Sequence, residues 1–191
     1  MVAGIHVTNA QEIAMQGMSP NKPCRCLRTR EIKDQNFKTM GAQFFCEKYY
    51  ANRGEEYFLS FETPDRRYVY GFLKLRFSDE PYQSHLPKEI HGAALIRWLQ
   101  VYGVAVPIGG GNVNSNSQHH GFGRSLMEKA PNSHPPAHSH SKARSQAYGI
   151  VRQKGWSKIA DISGIGVREY YRKLGYKLEG TYMVKEIGEA E

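Results

Sequence analysis

Cysteine is scarce in this chain, with three among 191 residues. So few argue against a disulfide-knit scaffold and for a reducing compartment, cytoplasmic or nuclear. No apolar run approaches the ~20 residues of a membrane-spanning helix, so no membrane partner is expected. The opening MVAGIHVTNAQEIAMQG has neither a basic start nor an apolar stretch, and so lacks the pattern of a signal peptide. Acidic residues are also in deficit. Lys and Arg total 26 against 18 Asp and Glu, giving a formal charge of +8 and a pI of about 9.4. That excess favours a polyanionic partner, because each phosphate neutralised by Lys or Arg releases a condensed counterion. A basic surface without a particular partner is the plainer alternative, and charge alone does not separate the two. What is present in quantity, 40% hydrophobic and 23% charged residues, suits a globular chain with one core.

Along the chain, residues 1–36 read as a connector containing Ser19-Pro20, Pro23 and a basic run from Cys24 to Arg30. Met40, Phe44, Phe45 and Tyr49 lie near helical spacing, which predicts an amphipathic helix over 37–51, stopped by Asn52-Arg53-Gly54. Strands are predicted over 57–62 and 68–77, joined by the turn Thr63-Pro64-Asp65-Arg66. In the second, Val69, Gly71, Leu73 and Leu75 alternate with Tyr70, Phe72, Lys74 and Arg76, which implies one buried face and one mixed face. Residues 78–92 hold two prolines and read as a loop, and 94–107 as a central strand. Residues 109–117 are too rich in Gly, Asn and Ser to pack. Residues 121–129 begin a helix, which the three prolines of 131–145 break. His134, His138 and His140 invite a metal reading, but a ligand cluster needs a rigid frame that this stretch does not supply, so it reads as a surface insertion. A buried strand over 158–163, a helix over 167–174 stopped by Gly175, and a final strand over 176–187 containing Gly180-Thr181 complete an α/β (α+β) domain. Its sheet should be mixed and mostly antiparallel.

Two segments carry chemistry. Gln118-His119-His120-Gly121-Phe122-Gly123 stands between the central strand and the helix that begins at Arg124. Glycines at that spacing let backbone N–H groups approach a pyrophosphate while the helix presents its positive end. Alone, such a pattern is more often a plain turn; its place between strand and helix raises it to a candidate phosphate cradle. The second segment runs from Ile162 to Tyr176, a glycine turn followed by a helix bearing Tyr170-Tyr171 and ending Leu174-Gly175-Tyr176. Both tyrosines could simply pack on a helix face.

Together with Leu95-Ile96-Arg97, Leu99, Val101-Tyr102-Gly103, Arg28-Thr29-Arg30-Glu31, residues 54–62 and Tyr182-Met183-Val184-Lys185, these segments resemble GNAT acetyltransferases. More closely, they resemble the acetyltransferase domain of the Elongator catalytic subunit, a tRNA-modifying enzyme. The resemblance runs from about Cys24 to Ile187, interrupted by the two insertions. It implies a GNAT fold over 37–191, with 1–36 as the end of a missing radical S-adenosylmethionine half. It implies acetyl-coenzyme A lying along Trp98, Leu99, Gln100 and Val101 and on Gln118, Gly121, Phe122, Gly123 and Arg124, with Tyr171 as proton donor to the departing thiolate. The implied function is modification of the wobble uridine of tRNA, with tRNA and other Elongator subunits as partners.

The sequence also departs from that family. Trp98 and Gln100 stand where the family usually has Glu and His; an indole cannot act as a base and an amide does so very poorly. Cys24 and Cys26 have only Thr29 where some relatives have a third cysteine, so no zinc site is assigned. The C-x₃-C-x₂-C spacing of the radical domain is absent, so the iron–sulfur cluster and S-adenosylmethionine belong only to that missing half. Two alternative functions follow: a protein (histone) lysine acetyltransferase, and a non-catalytic module that binds tRNA or Elongator partners.

Overall fold

The computed structural model describes residues 24–32, 42–102 and 146–188, together with 13 and 16–18. Seven strands form one sheet: β1 Gln43–Tyr50, β2 Gly54–Glu62, β3 Val69–Ser78, β4 Ala93–Val101, β5 Lys158–Asp161, β6 Lys177–Glu179 and β7 Tyr182–Glu186. Their spatial order is β1-β2-β3-β4-β5-β7-β6, and only the β4–β5 pair is parallel. The mixed, mostly antiparallel sheet expected from the sequence is therefore present. Four short helices accompany it among the described residues: α1 Leu27–Arg30, α2 Glu80–Gln83, α3 Gln146–Gln153 and α4 Arg168–Lys173.

One sheet face is apolar. Phe61, Leu59, Leu73, Leu75, Phe77 and Ile96 point into a core closed by Ala147, Tyr148 and Val151 of α3, Tyr171 of α4 and Leu174 just after it. Both helices end in the same way. Gly155 and Gly175 take φ of +74° and +85°, and the residue after each donates its N–H back across the last turn, Trp156 to Val151 at 3.0 Å and Tyr176 to Tyr171 at 3.1 Å. Glycine is needed at that position because a side chain disfavours left-handed backbone.

The opposite face is polar but equally covered. Arg76 donates to Glu56 Oε1 at 2.8 Å and Arg97 to the same oxygen at 2.6 Å, while the Tyr49 hydroxyl reaches Oε2 at 2.8 Å. A second buried acid, Glu62, is held by Arg30, by Arg66 Nε at 2.9 Å and by the Ser60 hydroxyl at 2.7 Å. Buried charges persist only when paired in this way.

Several expectations change. The helix predicted over 37–51 is, in its described part, strand β1, paired along its whole length with β2. Phe44 and Phe45 suit a pleated surface, and Phe44 meets the Phe61 ring edge-on at 5.6 Å. The mixed face predicted for β3 is buried except at Lys74. Residues 78–92 are not wholly loop; they contain α2 and a 3-10 turn at Lys88–Ile90. The final strand is a hairpin, β6 and β7, turning at Gly180 and Thr181, where Gly180 supplies a φ of +57°. The helix start at 121–129, the loop at 109–117 and the insertion at 131–145 lie outside the described residues.

Candidate active site at a fork in the sheet

β4 is bulged and then parts from its neighbour. Lys74 pairs with Trp98 but Leu75 pairs with Ile96, so Arg97 is an extra residue on β4. The bulge reverses the facing of the strand. Ile96 belongs to the buried core, whereas Trp98, two residues on, sits against Phe72 on the other face with ring centroids 5.3 Å apart. On the far side, β4 pairs with β5 only from Ala93–Lys158 to Ile96–Asp161. Beyond that rung, no described strand pairs with the outer edge of β4. The result is a fork, with bare strand backbone from Arg97 to Val101 on one side and the end of β5 on the other.

The first four predicted site residues line the β4 arm. Trp98 is 51% exposed, with the Lys74 ammonium 5.7 Å from its ring centroid. Leu99 and Val101 pack partly into the core, and the Gln100 amide donates weakly to the Val101 carbonyl at 3.4 Å. Neither Trp98 nor Gln100 brings an acid or base to the fork. Gln118, Gly121, Phe122, Gly123 and Arg124 lie outside the described residues.

Tyr171 stands at the other arm. It is buried, 5% exposed, and its ring is fixed edge-on against those of Tyr170 and Tyr176, each at 5.4 Å. Its hydroxyl is within hydrogen-bonding reach of Asp161, the last residue of β5. Burial, then the charge and hydrogen bond of Asp161, raise the phenol far above its ordinary value. Burial likewise pushes the Asp161 carboxyl up to about 6, opposed by the Tyr171 hydroxyl. Asp161 is the site residue that sequence reasoning missed. Its signal was an acid inside the otherwise apolar strand Lys158–Asp161.

Cys24, Cys26 and Thr29 do converge. The Thr29 hydroxyl donates at 2.9 Å to the Cys24 and Cys26 carbonyls, and Cys26 Sγ lies 3.4 Å from it. Hydrogen bonds from Thr29 and Cys24 lower the Cys26 thiol. No cluster of three metal-binding side chains occurs among the described residues.

No family model matches the chain. Over 191 residues it is 37% identical to Elongator complex protein 3 of Danio rerio. The chain is a homologue of part of that protein. The match takes in 97% of this chain and 31% of the relative. Elongator complex protein 3 of Homo sapiens is 36% identical over 192 residues, and that of Saccharomyces cerevisiae 35% over 192. The chain spans about a third of the length of these curated relatives, 31% in each case. Among solved structures, archaeal Methanocaldococcus infernus Elp3 with an N-terminal deletion superposes with a TM-score of 0.62 at 32% identity, over 93% of this chain and 38% of that one. The order and spacing of motifs that resembled the Elongator catalytic subunit thus reflect homology along nearly the whole chain.

Proposed function

We propose that the fork holds acetyl-coenzyme A, in a GNAT-type fold, and that the chain is the acyltransferase part of an enzyme that modifies the wobble uridine of tRNA. The observation that carries this proposal is the bulge at Arg97 followed by the parting of β4 from β5 after Ile96. An extended, amide-bearing ligand such as pantetheine can join that bare edge as a further strand, through backbone groups that do not depend on Trp98 or Gln100. Gln118, Gly121, Phe122, Gly123 and Arg124 would hold the pyrophosphate, on the strength of their sequence pattern. When bound, the coenzyme supplies an activated acetyl thioester. Tyr171, beside the end of β5, is the group suited to hold a proton for the departing thiolate. Homology to Elongator complex protein 3 supports tRNA and other Elongator subunits as partners.

The half-exposed Trp98, resting on Phe72 where a base would be wanted, favours a second reading in which the module binds but does not catalyse. Calorimetry with acetyl-coenzyme A tests the shared premise. Gly123→Glu places bulk and negative charge among anionic oxygens, so affinity should fall tenfold or more while the circular dichroism spectrum is unchanged. Equal binding by parent and variant refutes the site. Binding without acetyl transfer selects the non-catalytic module.

A further inference from the structure

Asp161 occupies the last rung before the fork, with Ile96 of β4 on one side and Met183 of β7 on the other. It is 5% exposed, and no cation is among the groups that set its protonation. A buried carboxylate without a positive partner is costly to ionise. Tyr171 meets it from α4, equally buried and held by the glycine-closed turn and the Tyr176 ring. The other titratable groups packed around the pair are Tyr148 of α3, Tyr170 of α4, Tyr176 after α4 and Lys185 of β7. β4 contributes only Ile96 to this rung. Lys185 donates to the Leu174 carbonyl at 2.7 Å and lies over the Tyr148 and Tyr176 rings, turned to the opposite side of the tyrosine cluster.

We propose that Asp161 is a positioning residue for Tyr171, drawing the phenolic hydroxyl to itself and withholding its proton from the fork until Asp161 has been protonated. This rests on the proposal that a coenzyme thiolate departs at the fork. While Asp161 is ionised, loss of the phenolic proton would set a phenolate against a buried carboxylate, and like charges in one apolar site oppose each other. With Asp161 neutral, the Tyr171 O–H bond breaks as an S–H bond forms on the thiolate. The carboxyl proton crosses to the phenolic oxygen in the same event. The negative charge ends on Asp161, which solvent reprotonates. One proton moves, and nothing is oxidised or reduced.

The test follows the hydroxyl-bearing ring carbon of Tyr171 by carbon-13 NMR in the full chain, with the signal assigned by its loss in Tyr171→Phe. The parent signal should move in one step with a midpoint near about 6, and the step should vanish in Asp161→Asn. A step that survives in Asp161→Asn, or a parent signal that stays flat across that range, overturns the inference. A merely structural Asp161 would leave no titration for the variant to erase. The same samples are then titrated with coenzyme A, which should shift the Tyr171 signal. If the Asp161-dependent step is present but coenzyme A neither binds nor shifts the signal, the fork proposal falls and takes the relay with it, while the pairing stands. If coenzyme A binds and the step ignores Asp161, the inference fails alone.

Discussion

A side chain at position 54 has nowhere to go: a Cβ on Gly54 would lie 2.8 Å from the Phe77 carbonyl oxygen and 2.9 Å from the Arg76 guanidinium. Arg76 also donates to the Ala51 carbonyl at 3.1 Å and to the Ser78 hydroxyl at 3.2 Å, which ties the β1–β2 turn to the buried Glu56. The sequence shows Gly54 only as the end of a stop signal, because close approach depends on an arginine twenty-two residues away in the numbering. Asp161 makes a sharper case. Its folded carboxyl titrates near about 6, above its ordinary value of 3.8. Below the lower value it is neutral folded and unfolded, and burial costs nothing extra. As pH rises through the upper value the folded state must ionise it, and stability is lost. A shift of roughly two units corresponds to about 3 kcal/mol. Asp161→Asn keeps an acceptor for Tyr171 and removes that cost. In urea melts the variant should match the parent near pH 3.5, by our reckoning from the lower value, then exceed it by about 2–3 kcal/mol above pH 7. A constant difference at every pH would contradict this.

The helices illustrate how elements are ended as well as begun. Ala at position 175 finds room, since its Cβ would meet only the Lys185 Cε and Nζ at 3.6 Å, but it must hold a φ of +85°. That strain costs about 1 kcal/mol. For a chain of this size the melting temperature should fall by about 2–4 °C, read by differential scanning calorimetry; an unchanged or raised value would show the turn to be dispensable. Gly175 as a stop was legible, since glycine after a helical run has few other uses. The β2–β3 hairpin was legible too, through alternation and the Thr63–Asp65 turn, where Asp65 Oδ1 accepts the Arg67 N–H at 3.1 Å. β1 was not. Eight residues with Phe44, Phe45 and Tyr49 satisfy helical spacing about as well as strand spacing, and pairing with β2 decides between them. α3 went unassigned because it follows a proline-rich stretch, although Ala147, Tyr148 and Val151 carry its buried face. The bulge at Arg97 could not be read, since a bulge is a count of residues against a partner strand.

At the scale of the whole molecule, the fork was half legible: its β4 arm came from the sequence motif, while Asp161 emerged only when β5 was seen to end there. The same correction applies to the net charge of +8. The sequence suggests that Arg25, Arg28 and Arg30 meet RNA together, yet Arg30 is spent inside the fold on Glu62. Arg30→Gln would leave that acid with Arg66 and Ser60 alone and should cost about 3 kcal/mol of stability, so a loss of RNA binding in a triple variant would report unfolding as much as contact. Arg25 and Arg67 are exposed and belong to no ion pair among the described residues. Their segments adjoin, because Arg30 Nε donates to the Arg66 carbonyl at 2.9 Å. If the chain binds tRNA as proposed, Arg25→Gln with Arg67→Gln should leave the urea midpoint nearly unchanged and weaken tRNA binding. The slope of log affinity against log salt should fall by roughly 0.7–0.9 for each phosphate contact removed. Fluorescence anisotropy with labelled tRNA at several potassium chloride concentrations measures both quantities. Weaker affinity with an unchanged slope would mean that these arginines do not neutralise phosphates. An unchanged affinity would move the RNA surface away from α1 and the β2–β3 turn altogether.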